Sequence, residues 1–307
     1  MAYNTTGTVA FNLDLNNLCE EAFERCGQEL RTGYDMRTAR RSINLLTIEW
    51  ANRGLNMWTV EQGQIVLATG QSTYAIPTDT IDLLDMVIRT GTATNQTDIN
   101  ISRISESTFA TIPNKNATGR PIQVWINRQS GTTATTTITL NETLTATDTT
   151  ITLSTTVGLA SAGYIKIDSE IIYYSGTTST DLQNCVRGQA NTTAATHTTA
   201  TAIYVVNLPA INVWPTPDSS QTYTFVYWRL RRMQDAGNGV NGEDIPFRFL
   251  PCLVAGLSFY LSMKIPGAEA RVQMLKGEYE EQFAMAASED REKAAVRFVP
   301  RQMFIGG

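Results

Sequence analysis

The sequence predicts an α+β protein: a helical cluster formed by N- and C-terminal helical hairpins, plus a mainly antiparallel β body with an inserted small all-β module. Near both chain ends, apolar residues recur at three- and four-residue steps, which is the spacing of amphipathic helices. Between the ends, apolar and polar residues alternate as they do in half-buried strands. One central stretch is rich in threonine and poor in charge, which indicates a separate module.

The C-terminal run 244–291 carries the strongest helical pattern. Asp244 as a cap and Pro246 in the first turn predict where its first helix begins. One face of that helix holds Leu250, Leu253, Val254, Leu257 and Leu261. The tripeptide 265–267, Ile-Pro-Gly, interrupts the pattern, because proline and glycine break helices. The stripe of the second helix is Val272, Leu275, Tyr279, Phe283 and Ala286.

The N-terminal region repeats this arrangement. Asp14 and Asp35 are the predicted caps of two helices, and Gly54 stands where a left-handed residue ends the second. The two apolar stripes are Leu15, Leu18, Ala22, Cys26 and Leu30, then Met36, Ala39, Ile43, Leu46 and Trp50. Two hairpins at opposite chain ends predict a four-helix cluster. Packing of each hairpin on a sheet is the alternative that the sequence leaves open.

The segments between the helical ends predict the β body and the module. Body strands are expected at 58–67, 72–76, 83–90, 121–127, 205–214 and 222–230, while 101–112 is ambiguous between helix and loop. Module strands are expected at 151–153, 164–167, 171–174 and 182–186, with a hairpin turn at 168–169 and threonine-rich flanks at 132–139 and 191–201. The predicted organisation is therefore a discontinuous body (1–130 and 204–290), a module (131–203) and a C-terminal tail (291–307).

Composition excludes several classes of protein. The 307 residues carry a formal net charge of −5, so a nucleic-acid coat is not expected. The start, 1–8, lacks the basic and apolar parts of a signal peptide, and the longest apolar run, 249–263, is too short to predict a membrane span. Four cysteines lie at spacings that do not suit metal ligands, and burial as small apolar residues is the favoured interpretation.

The residues that could perform chemistry are few. His197 is the one histidine, so zinc sites and Ser-His-Asp triads are disfavoured and a structural or surface role is expected. Asp168 and Glu170 could form a carboxylate pair, although solvated positions beside a turn explain them better. The sequence predicts no enzyme, no metal and no cofactor.

A glycine-rich loop at 237–242 matches the dinucleotide-binding pattern G-x-G-x-x-G. Glu243 and Asp244 follow it, and they place negative charge where a bound phosphate would lie. No βαβ pattern surrounds the loop. The match therefore predicts a loop ahead of a helix, with no nucleotide site.

Two segments are candidates for contact with a partner. Arg229, Arg231 and Arg232 end a predicted strand; they either pair with local acids or contact an acidic partner or passing nucleic acid. The tail interleaves basic and apolar residues, and docking on a partner chain is favoured over disorder. Its candidate contact residues are Arg291, Lys293, Arg297, Phe298, Val299, Pro300, Arg301, Met303, Phe304 and Ile305.

Several of these segments resemble a known family. The stretches 212–217, 223–229, 247–266, 279–283 and 290–293 are similar to those of head-to-tail adaptor proteins of short-tailed bacteriophages, also called tail tubular protein A. The resemblance is strongest over 205–300 and weaker over 1–130. The central stretch resembles a small β-module of phage tail proteins at 148–153, 165–174 and 184–188, with His197 after them. Compact members of the adaptor family lack such an insert.

The resemblance implies a virion protein at the head–tail junction, made in the host cytoplasm. It implies a ring, of twelve copies, in which the helical cluster and tail meet the portal protein and the β body meets the tail nozzle protein. DNA would pass through the ring without sequence-specific contacts, and no membrane is involved. The alternative function is glycan or receptor binding by the module, with Tyr173 or Tyr174 exposed.

Overall fold

The computed structural model describes residues 14–129, 131–237 and 244–291, and it confirms the α+β class. The chain divides into two compact units. The helical unit comprises the described residues of Met1–Val60 and Arg232–Gly307, and the β unit is Glu61–Arg231.

Both N-terminal helices begin and end at identifiable capping residues. Helix α1 (Leu15–Cys26) has Asp14 as its N-cap, as predicted, and ends at Gly27, whose φ of 85° is left-handed. Helix α2 (Gly33–Asn52) has Thr32 as its N-cap. The prediction of Asp35 as that cap was wrong. Asp35 is the third residue of the helix and forms a capping box with Thr32, in which the Asp35 carboxylate accepts a hydrogen bond from the Thr32 amide.

The remaining helices are α3 (Glu106–Ala110), α4 (Leu250–Ser262) and α5 (Val272–Glu289). Helix α3 resolves part of the ambiguous stretch 101–112. The predicted start of α4 at Asp244 was wrong, because a 3-10 turn at Phe247–Phe249 precedes the helix and Pro246 caps that turn.

One hydrophobic core joins α1, α2, α4 and α5. Helix α4 packs against each of the other three. Its Gly256 is required by this packing, since a Cβ there would lie 2.8 Å from a Leu46 methyl and 2.9 Å from the Tyr279 ring. Most of the predicted stripe residues are buried in this core; Leu30 lies beyond the end of α1 and is only partly buried. No helix among the described residues is long and apolar enough to cross a membrane.

The β unit contains fifteen strands among its described residues. In chain order they are β1 (Val60–Leu67), β2 (Thr73–Ala75), β3 (Thr80–Thr90), β4 (Thr97–Asn100), β5 (Ser102–Arg103), β6 (Gln123–Asn127), β7 (Thr132–Thr139), β8 (Ile151–Thr152), β9 (Gly163–Ile167), β10 (Glu170–Tyr174), β11 (Gly176–Thr177), β12 (Asp181–Gln183), β13 (Ala202–Asn207), β14 (Ala210–Trp214) and β15 (Tyr223–Arg231).

These strands form four sheets, with orders β1-β15-β3-β4, β2-β14-β6-β5, β10-β9-β13-β7 and β11-β12-β8. The first two share a hydrophobic core, and the last two share another. Pairing is antiparallel between β3 and β15, β6 and β14, and β9 and β10, whereas β5 and β6 pair in parallel. The strand predicted at 205–214 was wrong: Leu208-Pro209 divides it into β13 and β14, which belong to different sheets.

Candidate functional site

The β9–β10 hairpin directs a carboxylate into the interior of the β unit. Asp168 stands at its turn with a left-handed φ of 52°, and Glu170 opens β10 opposite Ile167. Residues two apart share a strand face, so Glu170 lies on the same face as the buried Ile172 and Tyr174. Its side chain is 0% exposed. The prediction of solvated carboxylates at this turn was therefore wrong for Glu170, while Asp168 is 61% exposed.

The Glu170 carboxylate accepts from donors on two separate segments, 187–188 and 195–197. The guanidinium of Arg187 donates to both oxygens, from Nε at 2.8 Å and from Nη2 at 2.7 Å. The backbone amides of Gly188 and Ala195 donate at 3.0 Å each. Nε2 of His197 lies 2.8 Å from Oε2. This bidentate, charge-assisted geometry is among the strongest kinds of hydrogen bonding.

His197 completes the cluster from the loop that precedes β13. It is 4% exposed, and its Nδ1 lies 2.8 Å from Oδ2 of Asp168. Arg187 also donates to the carbonyls of Thr145 and Ala195. The cluster thus ties together the hairpin turn and the loops around 145, 187 and 195. Of the structural and surface roles expected for His197, its burial favours the structural one.

The charge state of Glu170 follows from this environment. Burial alone would raise the pKa of the carboxyl, but hydrogen bonds from Arg187, His197 and the two backbone amides outweigh it and hold the pKa near 2. Glu170 is therefore a carboxylate at neutral pH, and both of its oxygens are engaged by protein donors. Such a carboxylate offers no free lone pair to a substrate, so the cluster is suited to holding loops together.

The thiols of the chain are also enclosed. All four cysteines are buried and unpaired with one another. Burial raises the pKa of Cys26 to about 11 and those of Cys185 and Cys252 to about 12. Within the ranges that the structure describes, histidine, cysteine and acidic side chains form no group of three that could hold a metal ion.

The arginines at the end of β15 are paired within the β unit. Arg229 contacts Asp79 at 2.5 Å and Glu61 at 2.8 Å, and Arg231 contacts the other oxygen of Glu61 at 2.6 Å. Although partial burial opposes it, this pairing lowers the pKa of Asp79. Of the two interpretations that the sequence left open, pairing with local acids is the one this geometry favours. Arg232 lies directly after β15.

The candidate docking tail begins at the end of α5. Arg291 is described and exposed; the other candidate tail residues, Lys293 to Ile305, lie outside the described residues. Asp290 fixes the point from which the tail departs, because its carboxylate accepts from the backbone amides of Asn56 at 2.6 Å and Met57 at 3.1 Å. The position of this departure point relative to α2 is therefore defined by hydrogen bonds.

The two tyrosines that were expected to be exposed for glycan or receptor binding are buried. Tyr173 is 3% exposed and Tyr174 is 2% exposed, so the expectation that one of them is presented to a ligand was wrong. Tyr173 packs against Tyr164, with ring centroids 5.2 Å apart. Both rings therefore contribute to the interior of the β unit.

Sequence reasoning missed the partners of Glu170. The one available signal was its spacing, since Glu170 alternates with Ile172 and Tyr174 on a strand. That spacing indicates burial, but it does not identify Arg187 or His197 as the residues that neutralise the charge.

A comparison with protein families identifies a match. The family model described as SU10 adaptor protein matches residues 122–301. The matched stretch begins just before β6 and includes the Glu170 cluster, β13 to β15, α4 and α5. No curated protein matches the chain.

Proposed function

Because the chain belongs to the SU10 adaptor protein family, a family of structural phage adaptors, we propose that it forms the head-to-tail adaptor ring that connects the portal to the tail nozzle and lines the DNA exit channel. The observation that carries this proposal is the match over 122–301, which is more than half of the 307 residues. The protein is a virion component with a structural adaptor role. The ring, its position and its neighbours are the proposed part.

We place the portal contact at the helical end of the chain. The helical unit, with its N- and C-terminal hairpins, would face the portal, and the tail 291–307 would dock on it. The hydrogen bonds that Asp290 accepts from Asn56 and Met57 support this assignment. They hold the residue before the tail in place, so every tail of a ring would begin at the same position on its subunit. Twelve tails so arranged would bind together with a high effective concentration, even if each contributes few apolar anchors.

The β unit would face the tail nozzle protein. The β unit consists of short sheets that pack into a stable body. Arg229 pairs with acidic residues of the same unit, so it does not create a strongly basic surface. A net charge of −5 suits a channel through which DNA slides without being held. We assign 131–203 to an inserted β-module with its own hydrophobic core, and 1–130 with 204–290 to the adaptor body.

Tail truncation tests the portal contact. Deleting 303–307 and replacing Phe298 with alanine should weaken binding to the portal ring by about tenfold or more, since a buried phenylalanine contributes roughly 1.5–3 kcal/mol. Binding to immobilised portal rings from the same phage genome measures the loss, and circular dichroism checks that the fold is intact.

A matched control is Val157→Ala, which trims an apolar side chain that is 82% exposed in the β unit. It should bind the portal as the unaltered protein does. If the truncated protein binds equally well, the tail is not the portal anchor.

A further inference from the structure

Helix α2 exposes a stripe of large side chains on the side away from the core. Tyr34, Leu45 and Ile48 are 63%, 53% and 58% exposed, and Arg37 and Arg41 lie between them on the same face. A row of large, exposed apolar side chains with charged residues between them is typical of a surface that binds another protein.

Helix α5 exposes a second apolar stripe, which carries a negative charge where the α2 stripe carries positive charges. Met274 and Met285 are 62% and 49% exposed, and Glu281 lies between them on the same face. Methionine suits contact surfaces because its side chain adapts to its neighbour. Helix α1 also exposes acids, Glu20 and Glu24, but no large apolar side chain accompanies them.

The two stripes match in spacing. Arg41 follows Tyr34 by seven residues and precedes Leu45 by four, and Glu281 follows Met274 by seven and precedes Met285 by four. Two parallel helices in register would therefore place apolar beside apolar and Arg41 beside Glu281.

Within the described residues, the charges at the centre of these stripes have no oppositely charged partner. Among the residues that the structure describes, no ion pair involves Arg41 or Glu281. Among the described residues, Arg41 donates to the hydroxyl of Thr38, at 3.2 Å, on its own helix. Nearby acids on α5 are engaged already, since Glu278 pairs with Arg25 and Glu280 with Arg53.

The directions of the helices allow a parallel contact between copies. Within one subunit α2 and α5 run the same way, because successive contacts join Trp50 to Tyr279, Arg53 to Glu280, and Asn56, just beyond α2, to Asp290. Neighbours in a many-membered ring differ by a small rotation. The α5 helix of one copy therefore stays nearly parallel to the α2 helix of the next.

We propose that the α2 stripe of one copy packs on the α5 stripe of the next, with Arg41 of one paired to Glu281 of the other. The contact joins two different patches, so it is heterologous and can close a ring. This inference rests on the proposed function, because it names the surface through which the proposed ring assembles.

Charge reversal tests the pairing. Arg41→Glu or Glu281→Arg alone should lower assembly on portal rings, measured by sedimentation velocity, by about tenfold or more in the concentration required, since facing like charges repel. The double variant Arg41→Glu with Glu281→Arg should restore assembly, because every interface then regains an opposite pair. Lys276→Glu is the control: it makes the same change of charge as Arg41→Glu on a side of α5 away from the stripe.

The outcomes separate the two proposals. If both single variants fail to assemble, the double variant assembles and Lys276→Glu is unaffected, the pairing is supported. If the unaltered protein assembles and the single variants do so equally well, or if the double variant is not rescued, the pairing is wrong while the adaptor ring stands. If the unaltered protein forms no ring, the proposed function and this inference fall together.

A covalent test identifies the faces directly. In the double variant Leu45→Cys with Met285→Cys, mild oxidation of assembled rings should yield a ladder of disulfide-linked oligomers, because each copy offers both partners. Either single variant should stay monomeric on a denaturing gel, since the native cysteines are buried. A ladder from Leu45→Cys alone would contradict the heterologous arrangement.

Discussion

Replacing Arg187 with methionine should destabilise the β unit by about 3–5 kcal/mol, because it leaves the buried Glu170 carboxylate without its charged partner. The two side chains are 7% and 0% exposed, so water cannot take the place of the guanidinium. Hydrogen exchange of the β9 and β10 amides, followed by mass spectrometry, should accelerate about a hundredfold or more.

The control for this effect is an exposed ion pair of the same chemistry. Arg89 pairs with Asp98 at 2.8 Å, with side chains 28% and 40% exposed, and Arg89→Met should change stability far less than Arg187→Met does, because water screens an exposed ion pair. If Arg187→Met costs no more than Arg89→Met, the Glu170 cluster does not stabilise the β unit.

Acid provides a second measure of the same cluster. The pKa of Glu170 lies near 2 in the folded protein, against an ordinary value of 4.5, so its stabilising contribution is present above pH 4.5 and is lost as the pH falls towards 2. Glu170→Gln should remove this part of the acid dependence of β9 and β10 exchange. An unchanged acid dependence in that variant would place the cause in other carboxylates.

Replacing Trp50 with alanine should destabilise the helical unit by about 3–5 kcal/mol, which is the usual cost of removing a buried tryptophan. Trp50 is 0% exposed, and its indole nitrogen donates to the Tyr279 hydroxyl at 3.2 Å, so it connects α2 to α5. The substitution leaves a cavity and removes that hydrogen bond. Urea unfolding, followed by far-ultraviolet circular dichroism, measures the change in the free energy of unfolding.

The matched control lies on the opposite face of the same helix. Leu45→Ala removes a side chain that is 53% exposed, and the free energy of unfolding should change by about 0.5 kcal/mol or less. Trp50→Phe should fall between the two, since it keeps an aromatic ring and loses the hydrogen bond. Equal stabilities of the alanine variants at 45 and 50 would contradict the assigned core.

Helical spacing was sufficient to identify the faces of the four long helices, but it did not fix their ends. The apolar faces of α2 and α5, which carry Trp50 and Tyr279, lie in the core. The three- and four-residue spacing of apolar side chains is enough to identify such a face. Ends depend on single backbone hydrogen bonds. Two residues, Thr32 and Asp35, can each accept at the start of α2, and Gly27 ends α1 before Leu30 is reached.

The Glu170 cluster could not be predicted because its members are distant in sequence. Glu170, Arg187 and His197 are brought together by the β9–β10 hairpin and by loops whose course no local pattern determines. The hairpin itself was predicted correctly, since its turn lies between two runs of strand-forming residues. The tyrosines failed as exposed candidates because neighbouring sheets cover both faces of β10.

We propose that this protein is an adaptor that assembles on the portal. The most direct measurement is sedimentation of the purified chain, alone and mixed with portal rings from the same phage genome. We expect the mixture to sediment as one defined ring-on-ring species, whose mass gives the copy number. A chain that stays monomeric beside unaltered portal rings would contradict it.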